Sequence, residues 1–442
     1  MAFPKGFMIG AATAAHQVEG NNIHSDYWAQ EQLPHSSFTE PSGIACDHYN
    51  RYEEDIRLMA KAGLNAYRFS VEWARIEPEE GRFDEQEIEH YRAVIRCCRE
   101  NGIEPIVTLL HFTSPVWLIK KGGWEAETTV EYFRRYASFV TERLGSELRY
   151  ICTINEANMG LQLAAISKRF MLMAEQAKKR MAEAAQPGND NASEGAKKAE
   201  GTVQVGMNFQ KMMENMKFAA MENAGVFGTP QPQIFVSSRT PEGDLLVMRA
   251  HQAAKEAIKA ICPDIRVGIT LSMHDLQALP GGEAFEEAAW AEEFTHYLPY
   301  LQGDDFLGVQ NYTRTLYGPQ GQLPAPEGAE LTQMDYEFYP EALEHVIRRV
   351  AKDFKGDLIV TENGTAVSDD TRRVAFINRA LSGVESCIRD GIPVKGYMYW
   401  SLMDNFEWQK GFSMTFGLIA VNRETMERTP KESLAYLGSF AE

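Results

Sequence analysis

Eight short runs of apolar, β-branched or aromatic residues recur along the chain, near residues 7–13, 65–70, 104–110, 150–155, 266–272, 306–311, 357–361 and 394–400. Helical patterns separate them. HYNRYEEDIRLMAKAG places Tyr52, Ile56 and Met59 on one helical face and closes on Gly63, a residue suited to the left-handed C-cap. DEQEIEHYRAVIRCCREN ends likewise at Gly102, and PEALEHVIRRVAKDF leads into the seventh run. Alternating strands and helices imply a parallel sheet with right-handed crossovers. Eight such units in 442 residues predict one closed (β/α)₈ barrel, a TIM barrel, spanning residues 1–442.

One segment breaks the rhythm. Residues 161–235 are rich in Ala, Lys, Met and Glu, and QPGNDNASEG at 186–195 interrupts them. This reads as a helical or loop insertion after the fourth strand. Composition narrows the function. A net charge of −18 argues against nucleic acid, whose phosphates require clustered Lys and Arg. The six cysteines show no CxxC or paired spacing, which predicts reduced thiols rather than disulfides or zinc. MAFPKGFMIG lacks a secretory pattern and no run reaches 18 apolar residues, so a cytoplasmic protein without a membrane span is expected.

Chemistry in such barrels gathers at the C-terminal ends of the strands. Here those ends carry Gln17 and Glu19, Arg68, His111, Asn155 with Glu156, Gln310 with Tyr312, Glu362 with Asn363, and Trp400. Only the fifth strand, closing on LSMHD, offers no assignable group. A purely structural barrel has no need of such ends. Two carboxylates suit glycoside hydrolysis, one protonated to expel the leaving group and one ionised to attack the anomeric carbon. Arg68 is placed to keep a nucleophile ionised and Tyr312 to orient it. Trp400 and Trp408 offer flat faces to a sugar ring, while Gln17, His111, Asn155 and Glu407 offer hydroxyl partners. No HExxH, GxxxxGK[ST], GxGxxG after a strand, or GxSxG occurs, so neither a metal, a nucleotide cofactor nor a serine triad is expected.

These residues lie in motifs that resemble glycoside hydrolase family 1, the retaining β-glycosidases. The resemblance runs through FPKGFMIGAATAAHQVEG, YRFSVEWARIEP, TLLHFTSP, TINEA, FLGVQNYTR, VTENG and WSLMDNFEWQKGFSMTFGL. It implies Glu156 as acid/base and Glu362 as nucleophile. It further implies Gln17, His111, Asn155, Glu407 and Trp408 around the glycone, with Trp400 as stacking floor. The chain departs from the family pattern at Ala157 and Asn158, where Pro and often an aromatic stand, and at Phe112, Gln310–Asn311 and Thr415. Segment 161–235 also lacks the usual Gly/Pro-rich loop and is expected near the aglycone side. The implied activity is exo-acting hydrolysis of small soluble β-glycosides, of β-glucoside or β-galactoside type, through a covalent glycosyl-enzyme. The alternatives are an inactive barrel that senses or binds sugars, and a transglycosylase using the same two carboxylates. A 6-phosphoglycosidase is disfavoured because Glu407 would repel a phosphate near C6.

Overall fold

The computed structural model describes residues 3–168 and 207–441. The 186–195 breaker and much of the 161–235 segment lie outside the described residues. Eight parallel strands close into a barrel: β1 (Met8–Ala12), β2 (Ala66–Ser70), β3 (Glu104–Leu110), β4 (Tyr150–Ile154), β5 (Arg266–Ser272), β6 (Phe306–Gln310), β7 (Asp357–Asn363) and β8 (Val394–Trp400). Each pairs with its neighbours in sequence, and β1 closes the ring on β8 with Met8 opposite Gly396 and Ala12 opposite Trp400. The fold is the expected TIM barrel.

The strands are buried on both faces, and alternation divides their side chains between two cores. Met8, Ala66, Ile106, Cys152, Phe306, Ile359 and Met398 fill the interior of the ring. Ile9, Tyr67, Val107, Ile151, Ile269, Leu307, Val360 and Tyr397 face outward, into a larger cluster shared with the helices.

The helices follow the periodicity. α1 (His48–Ala62) buries Ile56 and Met59 and stops at Gly63, whose φ of 99° is the left-handed cap expected there. α2 (Glu85–Glu100) starts with the Asp84 side chain accepting from the Gln86 N–H. α3 (Thr128–Leu144) follows, and α4 (Phe209–Phe227) and α5 (Pro241–Ile261) come between β4 and β5. α6 (Glu283–Glu293), α7 (Ala342–Asp353), α8 (Asp370–Arg389) and α9 (Glu432–Gly438) follow β5 to β8. In α7, Leu343, Val346, Ile347 and Val350 form the buried stripe of an amphipathic helix. Among the described residues, no helix is long and apolar enough to cross a membrane.

The C-terminal end of the chain is locked to α1 by a buried ion pair. Arg428 donates from Nε to Asp55 Oδ1 at 2.8 Å and from Nη2 to Oδ2 at 3.1 Å, and His48 Nδ1 lies 2.8 Å from the same Oδ2. Burial alone would raise the Asp55 carboxyl, but the hydrogen bonds from His48 and Arg428 outweigh it and hold Asp55 below its ordinary range. Arg428→Ala is expected to cost about 3–5 kcal/mol by stripping a buried carboxylate of its cation, measured by denaturant unfolding.

Candidate active site

At the C-terminal mouth of the barrel lies a narrow cleft lined by His111, Phe112, Asn155, Glu156, Tyr312, Met334, Tyr336, Glu362, Trp400, Glu407, Trp408 and Phe416. Most of the residues singled out in the sequence converge here. Gln17 and Arg68 adjoin the lining, Gln17 against Glu407 and Arg68 against Glu362 and Asn155.

Arg68 is completely buried and organises the floor. It donates from Nη1 to Glu362 Oε1 at 2.6 Å, from Nη2 to Asn155 Oδ1 at 2.6 Å, and from Nε to Thr108 Oγ1 at 3.1 Å. The Tyr312 hydroxyl donates to the other Glu362 oxygen at 2.6 Å. Each oxygen of Glu362 therefore accepts a short hydrogen bond, the geometry of a carboxylate held in its charged form. Gly364, two residues on, is required by crowding. A Cβ there would stand 1.9 Å from the Trp400 carbonyl oxygen.

Asn155 Oδ1 also accepts from Gln310 Nε2 at 2.8 Å, so its Nδ2 faces His111 Nε2 at 3.2 Å. That assignment makes Nε2 the acceptor and leaves the ring proton on Nδ1, a buried atom with no protein partner. Burial, and next the Arg68 charge, push His111 well below its usual range, so the ring is neutral. It lies nearly parallel to Trp400, with centroids 5.6 Å apart. Gln17 donates to the Phe406 carbonyl at 2.8 Å and to Glu407 at 3.3 Å, while its own Oε1 is buried without a partner.

The carboxylates differ in their surroundings. Burial lifts Glu362 above the ordinary range, and Arg68 and Tyr312 offset this only in part. Glu156 is lifted well above that range by burial and by the charge of Glu362, and the Ser272 hydroxyl and Arg68 oppose this only in part. Of the pair, Glu156 is the one pushed further toward its protonated form. Its backbone adopts φ of 44°, in the left-handed region that a non-glycine residue seldom enters.

The polar residue after Ala157 is turned inward and fully engaged. Ala157 and Asn158 are both fully buried, and the Asn158 amide binds main-chain atoms of Ser272 and Glu293. The fifth strand, silent in sequence, supplies Ser272 beside Glu156 and Thr270, whose hydroxyl accepts from the Glu156 N–H at 2.9 Å. Sequence reasoning also missed Met334 and Tyr336. They come from a long irregular connection after β6, and only its position at the catalytic end of the barrel could have pointed to them. Phe416 stands within a quoted motif and could have been found there. Glu19, by contrast, belongs elsewhere: it meets Arg75 at 2.9 Å and Tyr91 at 3.2 Å behind the barrel wall. Asn363 is structural, donating to the Asn311 carbonyl and accepting from Tyr397. Among the described residues, no group of His, Cys, Asp or Glu is arranged to hold a metal ion.

Burial, followed by the Glu362 charge, raises Glu407 to about 8. The sign of its effect on stability follows. In the unfolded chain the group ionises near 4.5, whereas the folded protein keeps the proton up to about 8. Over that interval unfolding releases a proton, so stability falls as pH rises and levels off above pH 8. Tm is expected to drop between pH 5 and pH 8, and Glu407→Gln to flatten the drop, removing a pH-dependent part of the unfolding free energy on the order of a few kcal/mol. Thermal unfolding of both proteins across that range tests it.

Comparison with known proteins adds the lineage. Residues 1–218 and 302–442 match the model described as Glycosyl hydrolase family 1. A solved β-glycosidase, BGL167, is 44% identical, with 99% of this chain and 96% of that one covered and a TM-score of 0.84. The solved β-glucosidase 1317 is 38% identical, with 98% of each chain covered and a TM-score of 0.83. Beta-glucosidase A of Acetivibrio thermocellus is 28% identical over 98% of this chain and 96% of its own length.

Proposed function

Because this chain belongs to glycosyl hydrolase family 1 and is a β-glycosidase, we propose that it hydrolyses small soluble β-glycosides, of β-glucoside or β-galactoside type, by exo-attack with retention. The observation that carries this reading is the asymmetry of the carboxylates. Glu362 accepts from Arg68 and Tyr312 at 2.6 Å each, while Glu156 in the same cleft is pushed toward its protonated form. One group is built to be an anion and the other an acid, as double displacement requires.

In the first step a Glu362 oxygen attacks the anomeric carbon and the glycosidic C–O bond breaks. Glu156 passes its proton to the departing oxygen. In the second step Glu156, now ionised, takes a proton from water, whose oxygen displaces Glu362 from the anomeric carbon. Arg68 and Tyr312 hold the nucleophile, and Asn155 joins it to the glycone side. Trp400 lies under the sugar ring. Gln17, His111, Asn155, Glu407 and Trp408 take the hydroxyls, and the free Gln17 Oε1 and His111 Nδ1–H supply an acceptor and a donor for them. A narrow cleft at the barrel mouth suits a short substrate entering end-on.

The 161–235 segment is assigned to the aglycone side. Its described part supports this: the Asn208 N–H donates to Gln409, next to Trp408, at 2.6 Å, and the Phe235 ring packs 5.9 Å from Phe112 in the cleft wall.

A panel of aryl β-glycosides scored by kcat/KM, with NMR of the first-formed anomer, tests the proposal. A β-anomer formed first from glucosides or galactosides is expected. A first-formed α-anomer would exclude retention, and no turnover of any member would favour a sugar-binding barrel. Products extended by an added sugar acceptor, in preference to free sugar, would indicate a transglycosylase.

A further inference from the structure

We propose that Asn158 is a positioning residue for the acid/base: its amide fixes the Ser272 peptide so that the Ser272 hydroxyl stays against the Glu156 carboxyl. The inference rests on the reading of Glu156 as the acid. Backbone pairing of β4 with β5 runs from Tyr150–Arg266 to Cys152–Gly268. Beyond it the chain turns through the left-handed conformation at Glu156 and can no longer present a regular strand edge to β5. The lost pairing is replaced piece by piece. Thr270 takes the Glu156 N–H on its hydroxyl and the Ala157 N–H on its carbonyl, at 2.9 and 3.0 Å. Asn158 then supplies from its side chain what a peptide would have supplied. Its Nδ2 donates to the Ser272 carbonyl at 2.7 Å, and its Oδ1 accepts from the Ser272 N–H at 3.0 Å.

The second Nδ2 hydrogen goes to the Glu293 carbonyl at the end of α6, at 2.8 Å. With both donors and the acceptor used and no exposed surface, the amide is fixed in one orientation. It pins three points, namely the turn after Glu156, the end of β5 and the end of α6. Ser272 is thereby clamped on both sides of its own peptide, and its hydroxyl is the β5 group that hydrogen-bonds the Glu156 carboxyl, where Thr270 binds only the Glu156 main chain. The other groups that face the Glu156 carboxyl are Glu362 from β7, Arg68 from β2, Glu407 from the segment after β8, and the hydroxyls of Tyr312 and Tyr336. None of them is bound to Asn158, so among the side chains facing the carboxyl Ser272 is the one Asn158 holds, sharing its carbonyl with Gln162 Nε2 at 2.8 Å.

The test uses leaving groups. Asn158→Ala in the full chain is expected to lower kcat on an alkyl β-glucoside by about 10–100-fold, the scale of a small misplacement of a reacting group. Glycosyl-enzyme formation from dinitrophenyl β-glucoside, which needs no proton, should be nearly unchanged. The Ser272 hydroxyl favours the ionised carboxyl, so its loss moves the alkaline limb of kcat/KM to higher pH. That shift is expected in Ser272→Ala, and in the same direction in Asn158→Ala. An equal loss on both substrates, or an alkaline limb that does not move, would overturn the proposal. If Asn158→Ala fails to fold, Ser272→Ala decides alone by the same criterion. Glu156→Ala run in parallel separates the two levels. If it lacks leaving-group selectivity, the reading of Glu156 fails. If it shows that selectivity while Asn158→Ala does not, only the role of Asn158 fails.

Discussion

Glu362→Ala is expected to lose hydrolysis of every β-glycoside by roughly 10⁶-fold in kcat, the scale seen when a covalent nucleophile is removed. No other group can replace it. Glu156 and Glu407, the other carboxyls in the cleft, are both pushed toward their protonated forms by burial and the Glu362 charge, and Arg68, Tyr312 and Asn155 are engaged in fixing Glu362 or one another. The variant leaves Arg68 a buried cation without its counter-charge, at a cost of about 3–5 kcal/mol, so its folding is checked by thermal unfolding beside the kinetics. Arg68 would then be left with Asn155, Thr108 and the Thr361 carbonyl as partners, a condition a small anion can relieve. Azide or formate should enter the vacated volume, attack from the same face, and restore turnover of an activated β-glycoside with an α-glycosyl product. NMR of that product is the check. Full activity without added anion would place the nucleophile elsewhere.

Glu156→Ala is expected to have a split effect. Alkyl glycosides, whose leaving groups require a proton, should lose about 10²–10⁴-fold in kcat, the usual contribution of general acid catalysis. A dinitrophenyl glycoside should still glycosylate Glu362 at nearly the wild-type rate and then stall, because no base remains to activate water. Azide needs no base, so it should speed this second step and release a β-glycosyl azide. The pH profile should change in parallel. In the wild type, the fall of kcat/KM on the alkaline side reports loss of the Glu156 proton, which burial and the Glu362 charge postpone to well above the ordinary carboxylate range. In the variant that limb should vanish for the dinitrophenyl substrate. Burst kinetics and a pH series on both substrates measure this.

How much of this was legible before the fold was known depends on how local the information is. β1 to β8 were readable because each is a short apolar run between helices with a clear stripe, and Gly63 and Gly102 marked where helices stop. Glu156, Glu362, Arg68 and Tyr312 were readable because barrel chemistry is confined to strand ends, so position along a strand already implies position in the site. Ser272 was not, since a serine ending a strand carries no signal until a carboxyl is seen beside it. Met334 and Tyr336 come from an irregular connection whose path is set by contacts such as Gln333 with Thr415, at 2.9 Å, and no periodicity records these. Asn158 stood out in sequence only as a departure from the family pattern. In the fold its amide is buried and takes the place of a missing length of backbone pairing.

The Arg68 bridge also bears on how the chain becomes a protein at all. Its guanidinium comes from the second strand, yet the charge that balances it lies 294 residues further on, in the seventh. A ring assembled only as far as β6 would enclose a full cation with nothing to neutralise it, a strongly unfavourable species. Incomplete barrels are therefore penalised by the residue that organises the finished one. Closure is favoured as a single late event, and catalytic competence should return during refolding together with the last strands and not ahead of them.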